Sequence, residues 1–473
     1  MSKAQQQERI RIYPRSVHGR FRMLKYAILV LAYGVYFLLP WLPWERTDSP
    51  PQAVLFDLVG RHFYIFDLVV YAQDIFWLAG VLVIAALLLF FVTGIAGRVF
   101  CGYFCFQTLW TDVFMFIERR VQGDRNARIK LAAAPWTANK ILRMGLTHLL
   151  WLLVAFLTGL TFTLYWGYAP ELLADMFRGA APFPAYATTL FLTLTTYVMA
   201  GLAREQVCTY MCPYARFQGV MFDEDTLVVA YDRERGEGPA GRHKPAKGLM
   251  TQDERHAAGH GDCIDCGFCV QVCPMGIDIR NGLQYQCISC ALCIDACDTV
   301  MDAIKYPRGL VRYSSERGME GKKTRYFKPR NIGYGLVLIL SITGLVWSVA
   351  TRATVELTVR QIRQPISVTL SDGSEQNRYE IKISNKTEEL VEYRLLVEGL
   401  PGAQLDVGGE NRFQMRPESH IQFIARVRLP PEQLRAERLP FKFVLVPFDE
   451  ESVHAVEWEA FFFVSRQRVK QGS

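Results

Sequence analysis

Eight of the twelve cysteines in this 473-residue chain stand in two consecutive runs of the form C-x2-C-x2-C-x3-C. The first run is Cys263, Cys266, Cys269 and Cys273, followed by Pro274; the second is Cys287, Cys290, Cys293 and Cys297, followed by Asp298. Thiols packed this densely oblige the backbone between them to wrap something that accepts several sulfurs at once. The spacing is the ligand pattern of two [4Fe–4S] clusters: three close thiolates hold one cube and the fourth, beyond a helical turn, reaches the other. Cys263, Cys266, Cys269 and Cys297 are thereby assigned to one cluster, and Cys287, Cys290, Cys293 and Cys273 to the second. Zinc knuckles and disulfides are the alternatives. Zinc sites rarely take three cysteines at this spacing, and disulfides conflict with the compartment that the charge pattern assigns.

Hydrophobic residues make up 51% of the chain although 21% of it is charged, so the apolar residues must be concentrated in segments. Five stretches have the roughly 20 mostly apolar residues that a bilayer core requires. They cover residues 24–41, 75–97, 141–166, 186–203 and 332–350, with Trp41, Trp44, Trp77 and Trp166 near their ends as an aromatic belt would place them. The fourth is rich in threonine. The net charge of +7 argues little for nucleic acid, because the basic residues sit beside apolar spans. The polar, basic N-terminus followed by a long apolar stretch does not read as a cleavable signal peptide.

Charge asymmetry sets an expected orientation. Residues 1–25 hold seven Lys/Arg and residues 98–143 hold eight, against two in 45–74 and one in 167–185. The basic segments belong to the cytoplasmic side of a bacterial inner membrane, which puts the N-terminus inside. With five spans the C-terminus lies in the periplasm. Both cysteine runs then face a reducing cytoplasm, and no cysteine follows Arg352, where exported thiols would oxidise.

Beyond Thr354 the pattern becomes alternating, as in Val355-Glu356-Leu357-Thr358-Val359 and Tyr379-Glu380-Ile381-Lys382-Ile383, broken by Ser-Asp-Gly and Pro-Gly turns. This predicts about seven strands in a β-sandwich. The domain carries no catalytic set, so docking a partner and simple packing both remain as its role. Its Asn385-Lys386-Thr387 triplet matches a glycosylation acceptor by chance composition. The expected fold is a polytopic α-helical membrane protein of about five spans, with a cytoplasmic bacterial-ferredoxin-like 2[4Fe–4S] domain and a C-terminal all-β immunoglobulin-like sandwich. The expected divisions are 1–23, a cytoplasmic segment; 24–231, four spans; 232–261, a linker whose Gly, Pro, Lys and Arg suggest mobility; 262–330, the cluster domain, with little core of its own; 331–351, the fifth span; and 352–473, the periplasmic sandwich.

The remaining four cysteines form two C-x3-C pairs, Cys101/Cys105 and Cys208/Cys212, each just after a long apolar segment and each containing C-x-Y-x-C. This is a weak internal repeat whose halves would face one another. On helical backbone, i and i+4 share a face with Cβ atoms about 5–6 Å apart, so two pairs offer four soft sulfurs suited to Cu(I), zinc or iron–sulfur species. Arg98 and Arg204 are expected to lower the thiol pKa values. Plain packing cysteines are the alternative. Met211 is either a thioether ligand or apolar filler. His148, inside the third span, is either a ligand or proton group or is satisfied by a neighbouring helix. His18, His62, His243, His256 and His260 read as surface or loop residues.

Several of these stretches resemble one family. Cys208-Thr209-Tyr210-Met211-Cys212-Pro213-Tyr214-Ala215-Arg216-Phe217-Gln218 is similar to the hallmark of the CcoG/FixG-type accessory proteins of cbb3-type cytochrome c oxidase. So are Gly276-Ile277-Asp278-Ile279-Arg280-Asn281-Gly282-Leu283-Gln284 and Cys101-Gly102-Tyr103-Phe104-Cys105-Phe106-Gln107. The resemblance covers nearly the whole chain. It implies a membrane cupric reductase that passes electrons through two [4Fe–4S] clusters to a copper ion held by Cys101, Cys105, Cys208 and Cys212. The partners implied are copper ions, a cytoplasmic electron donor, copper chaperones or cbb3 oxidase assembly factors, and membrane lipid; a homodimer is one option. One departure is Phe106, where the family carries proline as at Pro213, which leaves the backbone at Cys105 open. Two other functions fit the same residues: a quinol dehydrogenase-type membrane ferredoxin subunit, and a non-catalytic copper chaperone or assembly scaffold.

Overall fold

The protein is described here by a computed structural model over residues 12–46, 49–71, 74–353, 355–386, 390–416, 419–434, 436–448 and 455–465. Residues 1–11 of the basic N-terminal segment and Thr387 of the glycosylation triplet lie outside these. The chain forms two compact units, Met1–Glu45 with Pro51–Leu345 and Arg46–Pro50 with Val346–Ser473.

The first unit is helical. Its first helix, α1 (Arg20–Leu38), is followed by a small antiparallel sheet of β1 (Val54–Asp57), β2 (His62–Ile65) and β3 (Leu68–Tyr71). Then come α2 (Phe76–Ala96), α3 (Val99–Tyr103), α4 (Phe106–Gln122), α5 (Arg125–Ala133), α6 (Ala138–Leu164), α7 (Ala169–Arg178), α8 (Phe183–Thr196) and α9 (Pro213–Met221). Among the described residues six helices are long and apolar enough to cross a membrane: Arg20–Trp41, Phe76–Ala96, Val99–Gln122, Ala138–Leu164, Phe183–Ala203 and Pro329–Ala350. Five of them are the expected spans. The sixth, Val99–Gln122, is the addition; it breaks between α3 and α4 and bears Asp112, Glu118, Arg119 and Arg120.

Those charges explain why hydropathy passes over the segment, and the fold explains how they are accommodated. Asp112, 3% exposed, takes a two-oxygen contact from Arg22 (2.9 and 3.0 Å) and lies 3.7 Å from Lys25. Glu118 pairs with Arg128 at 3.1 Å and with Arg204 at 2.6 Å. Charges removed from water persist only when paired in this way. The threonines of the fourth expected span have a comparable role. Thr189 and Thr163 share a hydrogen bond of 2.8 Å, and a Cβ on Gly159 would meet the Thr189 carbonyl oxygen at 2.6 Å. Small and hydroxylic residues thus bring α6 and α8 together as they do at membrane helix interfaces.

The cluster motifs form a lobe at the starting end of α1. Asp295, on the Leu292–Ala303 helix between two cluster cysteines, accepts the first backbone N–H groups of α1, from Arg22 at 2.7 Å and Phe21 at 3.2 Å. A carboxylate reaching in from 273 residues away therefore fills the role of a helix cap. The lobe has more core than its sequence suggests. β4 (Val228–Tyr231) pairs with β5 (Val311–Ser314), and Val229, Tyr231, Ile294, Met301, Leu310 and Val311 are buried together. The stretch expected as a mobile linker is packed onto this core. Arg255, 1% exposed, donates to the carbonyls of His243, Gly261 and Cys263, and Arg235 pairs with Asp262 at 2.6 Å. Its glycines permit close approach: a Cβ on Gly238 would stand 2.4 Å from the Gly259 carbonyl oxygen.

The second unit is a two-sheet sandwich of β6 (Val355–Gln361), β7 (Val368–Thr369), β8 (Glu375–Asn385), β9 (Val391–Glu398), β10 (Gln404–Asp406), β11 (Phe413–Met415), β12 (His420–Leu429), β13 (Arg438–Pro447) and β14 (Val456–Phe463). One sheet runs β10-β12-β8-β6 with β7 added on β8, and the other runs β11-β9-β13-β14. Among the described residues nine strands stand where about seven are expected, because β7, β10 and β11 are only two or three residues long. Tyr379, Ile381 and Ile383 alternate inward along β8 against Leu395, Phe443 and Leu445.

Replacing Asp112 with alanine leaves Arg22 and Lys25 buried without a counter-charge, at a cost of about 3–5 kcal/mol. The expected result is a marked fall in thermal midpoint in detergent, while Asp406→Ala on the exposed face of the sandwich leaves it unchanged.

Candidate metal centre

The eight cysteines line two small adjoining pockets. Cys263, Cys266, Cys269 and Cys297 line the first, together with Ile264, Gly267 and Arg280. Cys273, Cys287, Cys290 and Cys293 line the second, with Cys269 at the boundary between them. Cys273 therefore reaches the cavity of the second run and Cys297 that of the first, in the exchange the spacing predicts. The two wrapping loops share a backbone device. Asp265 and Gly267 in the first, and Ser289 and Ala291 in the second, take φ values of 49°, 66°, 53° and 59°. These left-handed positions curl each C-x2-C-x2-C loop round its cavity, at a steric cost wherever the residue is not glycine.

The thiols themselves fit an iron cube. Burial raises Cys269 to about 11 and Cys287 to about 11, and raises Cys273 to about 12 with Cys290 adding to the effect. Burial also pushes Cys293 and Cys297 upward. Arg280 opposes the rise at Cys269 without overcoming it, so these groups keep their protons at neutral pH; bound iron would supply the further positive charge that displaces them.

Both C-x3-C pairs lie at helix ends and share one local geometry. In the first, the Cys105 N–H donates to the Phe100 carbonyl at 3.0 Å; in the second, the Cys212 N–H donates to the Val207 carbonyl at 2.8 Å. Both are five-residue closures, wider than an α-helical turn, of the kind that often marks functional sites. Cys105 (φ −65°, ψ 125°) and Cys212 (φ −80°, ψ 110°) then each begin a new helix, α4 and α9. Phe106 in place of proline thus leaves the backbone at Cys105 the same as at Cys212. The expected i, i+4 α-helical face is replaced by this wider turn in both pairs.

The pairs occupy one neighbourhood. Cys208 lies within electrostatic range of Cys105 and Cys212, and Cys101 within range of Cys105, Cys208 and Cys212. Among the described residues no set of three or more His, Cys, Asp or Glu side chains is closed to metal-ligand geometry. At Cys208 the expected lowering by flanking arginines does not occur. Burial raises Cys208 to about 11, Cys105 and Cys212 reinforce it, and Arg98 opposes it only weakly. Arg204 is turned away, held by Glu118 and lying 5.1 Å from the Trp151 ring centre.

Contacts that the sequence left unassigned tie the first pair to the cluster lobe. A Cβ on Gly102 would lie 2.7 Å from the Ile288 carbonyl oxygen and 2.9 Å from Cys290 Cα, so only glycine fits there. The Tyr103 hydroxyl donates to the Cys290 carbonyl at 3.1 Å. Arg98, 2% exposed, donates to the carbonyls of Tyr285, just ahead of the second run, and Ala215, just after the second pair. The Cys101 thiol donates to Gln218 Oε1 at 3.2 Å, and Gln218 is fully buried. Gln218 closes the motif noted in the sequence, which was the available signal for it. His148 is brought to neither site: its Nδ1 lies 2.9 Å from the Tyr197 hydroxyl, the satisfied-by-neighbour outcome. Met211 is 60% exposed, beside Cys212.

Comparisons with known proteins cover the same regions. Residues 203–316 match a family described as a 4Fe-4S dicluster domain, residues 78–122 one described as a 4Fe-4S binding domain, and residues 345–465 one describing the IG-like fold at the C-terminal of FixG. The chain is 41% identical over 439 residues to the nitrogen fixation protein FixG of Rhizobium meliloti, covering 85% of this chain and 82% of that protein. It is 41% identical over 432 residues to protein RdxA of Cereibacter sphaeroides, covering 89% of each. Protein RdxB of the same organism is 43% identical over 403 residues, covering 82% of this chain and 81% of that one.

Crossed ligation is tested one cysteine at a time. Cys273→Ser is expected to deplete the cluster of the 287–293 loop, and Cys297→Ser the cluster of the 263–269 loop, read as separate losses in iron content and low-temperature EPR. Since raised thiol pKa values mean bound protons that iron must displace, cluster assembly on metal-free protein strengthens from about pH 6 to about pH 8. Assembly that is flat or falls over that interval contradicts the assignment.

Proposed function

The chain belongs to the FixG/RdxA family of membrane iron–sulfur proteins of oxidoreductase type, and from that premise we propose that it reduces Cu(II) to Cu(I) at Cys101, Cys105, Cys208 and Cys212 for assembly of cbb3-type cytochrome c oxidase. The observation that carries this reading is the seating of Gly102, between Cys101 and Cys105, directly on the Ile288–Cys290 backbone. Cys263, Cys266, Cys269 and Cys297 would hold one [4Fe–4S] cluster and Cys287, Cys290, Cys293 and Cys273 the other; when bound, these supply single electrons, which suits a one-electron reduction. The chain's own residues hold the thiol pairs against the lobe through Gly102, Tyr103 and Arg98, and accept the substrate ion. Sulfur ligands favour the cuprous state over the cupric one, so binding itself assists reduction. The Cys101–Gln218 hydrogen bond orients one thiol toward its neighbours.

This reading has the protein in a bacterial inner membrane, with the N-terminus and cluster lobe in the cytoplasm and the sandwich in the periplasm. It counts Val99–Gln122 as a helix that does not cross, in keeping with its four charged residues and its break at Cys105. An electron donor on the cytoplasmic side and copper chaperones or oxidase assembly factors are the partners it calls for.

One observation favours a second reading. A cavity of about 340 Å³, lined by Tyr36, Phe106, Gln107, Trp110, Thr158 and Thr196 among others, opens beside Phe106, the residue after Cys105. Such a mostly apolar cavity with a few polar groups suits a quinol headgroup, as a quinol dehydrogenase-type subunit would require. Reduction of the clusters in purified protein by a short-chain quinol would support it.

The decisive experiment replaces either thiol pair with alanine. Cu(II) reduction by chemically reduced protein is expected to vanish while the cluster absorption and EPR remain. Undiminished reduction in both double variants would end the copper reading.

A further inference from the structure

The two thiol pairs repeat one another in sequence and in backbone, yet the protein surrounds them differently. In the first pair the central tyrosine, Tyr103, is 2% exposed and bound to the Cys290 carbonyl, and Gly102 is pressed on the same loop. Tyr313 joins it there, donating to the adjacent Ser289 carbonyl. Cys101 packs against Ile288 and Cys290 in one apolar cluster. In the second pair the corresponding tyrosine, Tyr210, is 67% exposed, and no residue of the 207–211 turn is buried, while Phe104 and Met211, which follow the two tyrosines, are exposed alike. The repeat has thus kept its turn and lost its symmetry of environment.

We infer that the two pairs divide the work: Cys101/Cys105 is the electron-delivering pair, coupled to the 287–293 cluster loop through Tyr103 and Gly102, and Cys208/Cys212, whose turn leaves Tyr210 unattached to that loop, is the ion-receiving pair. This rests on the copper reading for its substrate, and on geometry alone for its asymmetry. Each turnover moves one electron from the protein to one Cu(II), giving Cu(I), with no bond made or broken beyond metal–sulfur exchange. Tyr103 is a positioning residue. Its hydroxyl restrains the carbonyl of a ligand-bearing residue, and partners of that kind typically alter metal-site behaviour 10- to 100-fold. Tyr210, with nothing to restrain, has no such role.

The test uses full-length protein purified anaerobically with its iron, as wild type, Tyr103→Phe, Tyr210→Phe and Cys208→Ser/Cys212→Ser. Three quantities are read: the EPR spectrum and midpoint potential of each cluster, the rate of cluster reoxidation after mixing with Cu(II), and the copper retained against a Cu(I) chelator. Tyr103→Phe is expected to shift the spectrum and potential of one cluster and to slow its reoxidation by roughly tenfold, with retained copper unchanged. Tyr210→Phe is expected to change none of the three. The double serine variant is expected to lose retained copper with both cluster signals intact. Equal effects of Tyr103→Phe and Tyr210→Phe, whether both large or both nil, overturn the division of labour. If wild-type clusters are not reoxidised by Cu(II), the copper reading fails; the asymmetry is still decided, by whether the potential shifts in Tyr103→Phe alone.

Discussion

A loop that wraps metal is polar and irregular, and here it must rest against the ends of apolar helices without stranding a single hydrogen-bonding group. That requirement governs the first unit. The junction answers much of it by pairing loop and helix-end backbone groups with partners from elsewhere in the chain. Asp295 accepts the N–H groups that open α1, Tyr103 and Tyr313 donate to successive loop carbonyls, and Arg98 donates to Tyr285 and Ala215 together. Buried backbone groups left unpaired would each cost on the order of 1–3 kcal/mol. A few side chains therefore do double service, closing the hydrogen-bond count and fixing the lobe on the helices.

The same economy of partners runs through the helices below. Arg22, Lys25 and Arg128 enter the sequence reading only as orientation signals, and Arg204 only as a neighbour of the second thiol pair. The fold uses them as counter-ions for Asp112 and Glu118. Arg204 adopts φ 45°, a costly backbone for its type, and its bidentate approach to Glu118 and its place against Trp151 offset that cost. Charge near a membrane surface and charge inside a helix bundle look alike in a linear sequence; only the partner distinguishes them.

What the sequence revealed follows from how local each signal is. The grouping of eight cysteines around two pockets was legible because they lie within thirty-odd positions and the spacing carries the geometry. The five uniform spans and the alternating strands of the sandwich were legible for the same reason. The helix at Val99–Gln122 was not, since Asp112 and Glu118 lower its hydropathy and their partners are remote in the chain. The 232–261 stretch read as mobile because glycine and charge usually signal solvent; here the glycines admit backbone against backbone and the arginines are buried donors. The pairing of two like C-x-Y-x-C elements was visible, but which tyrosine would be buried could not be, because that depends on the loop each one meets.

Asp295 stands on the same short helix as Cys293 and Cys297, so the grip on the opening turn of α1 and the grip on iron reside in one rigid element. Emptying the lobe of metal and loosening the chain's entry into the bilayer are consequently linked equilibria. Iron scarcity would be felt by this molecule as a mechanical slackening where its first long helix begins.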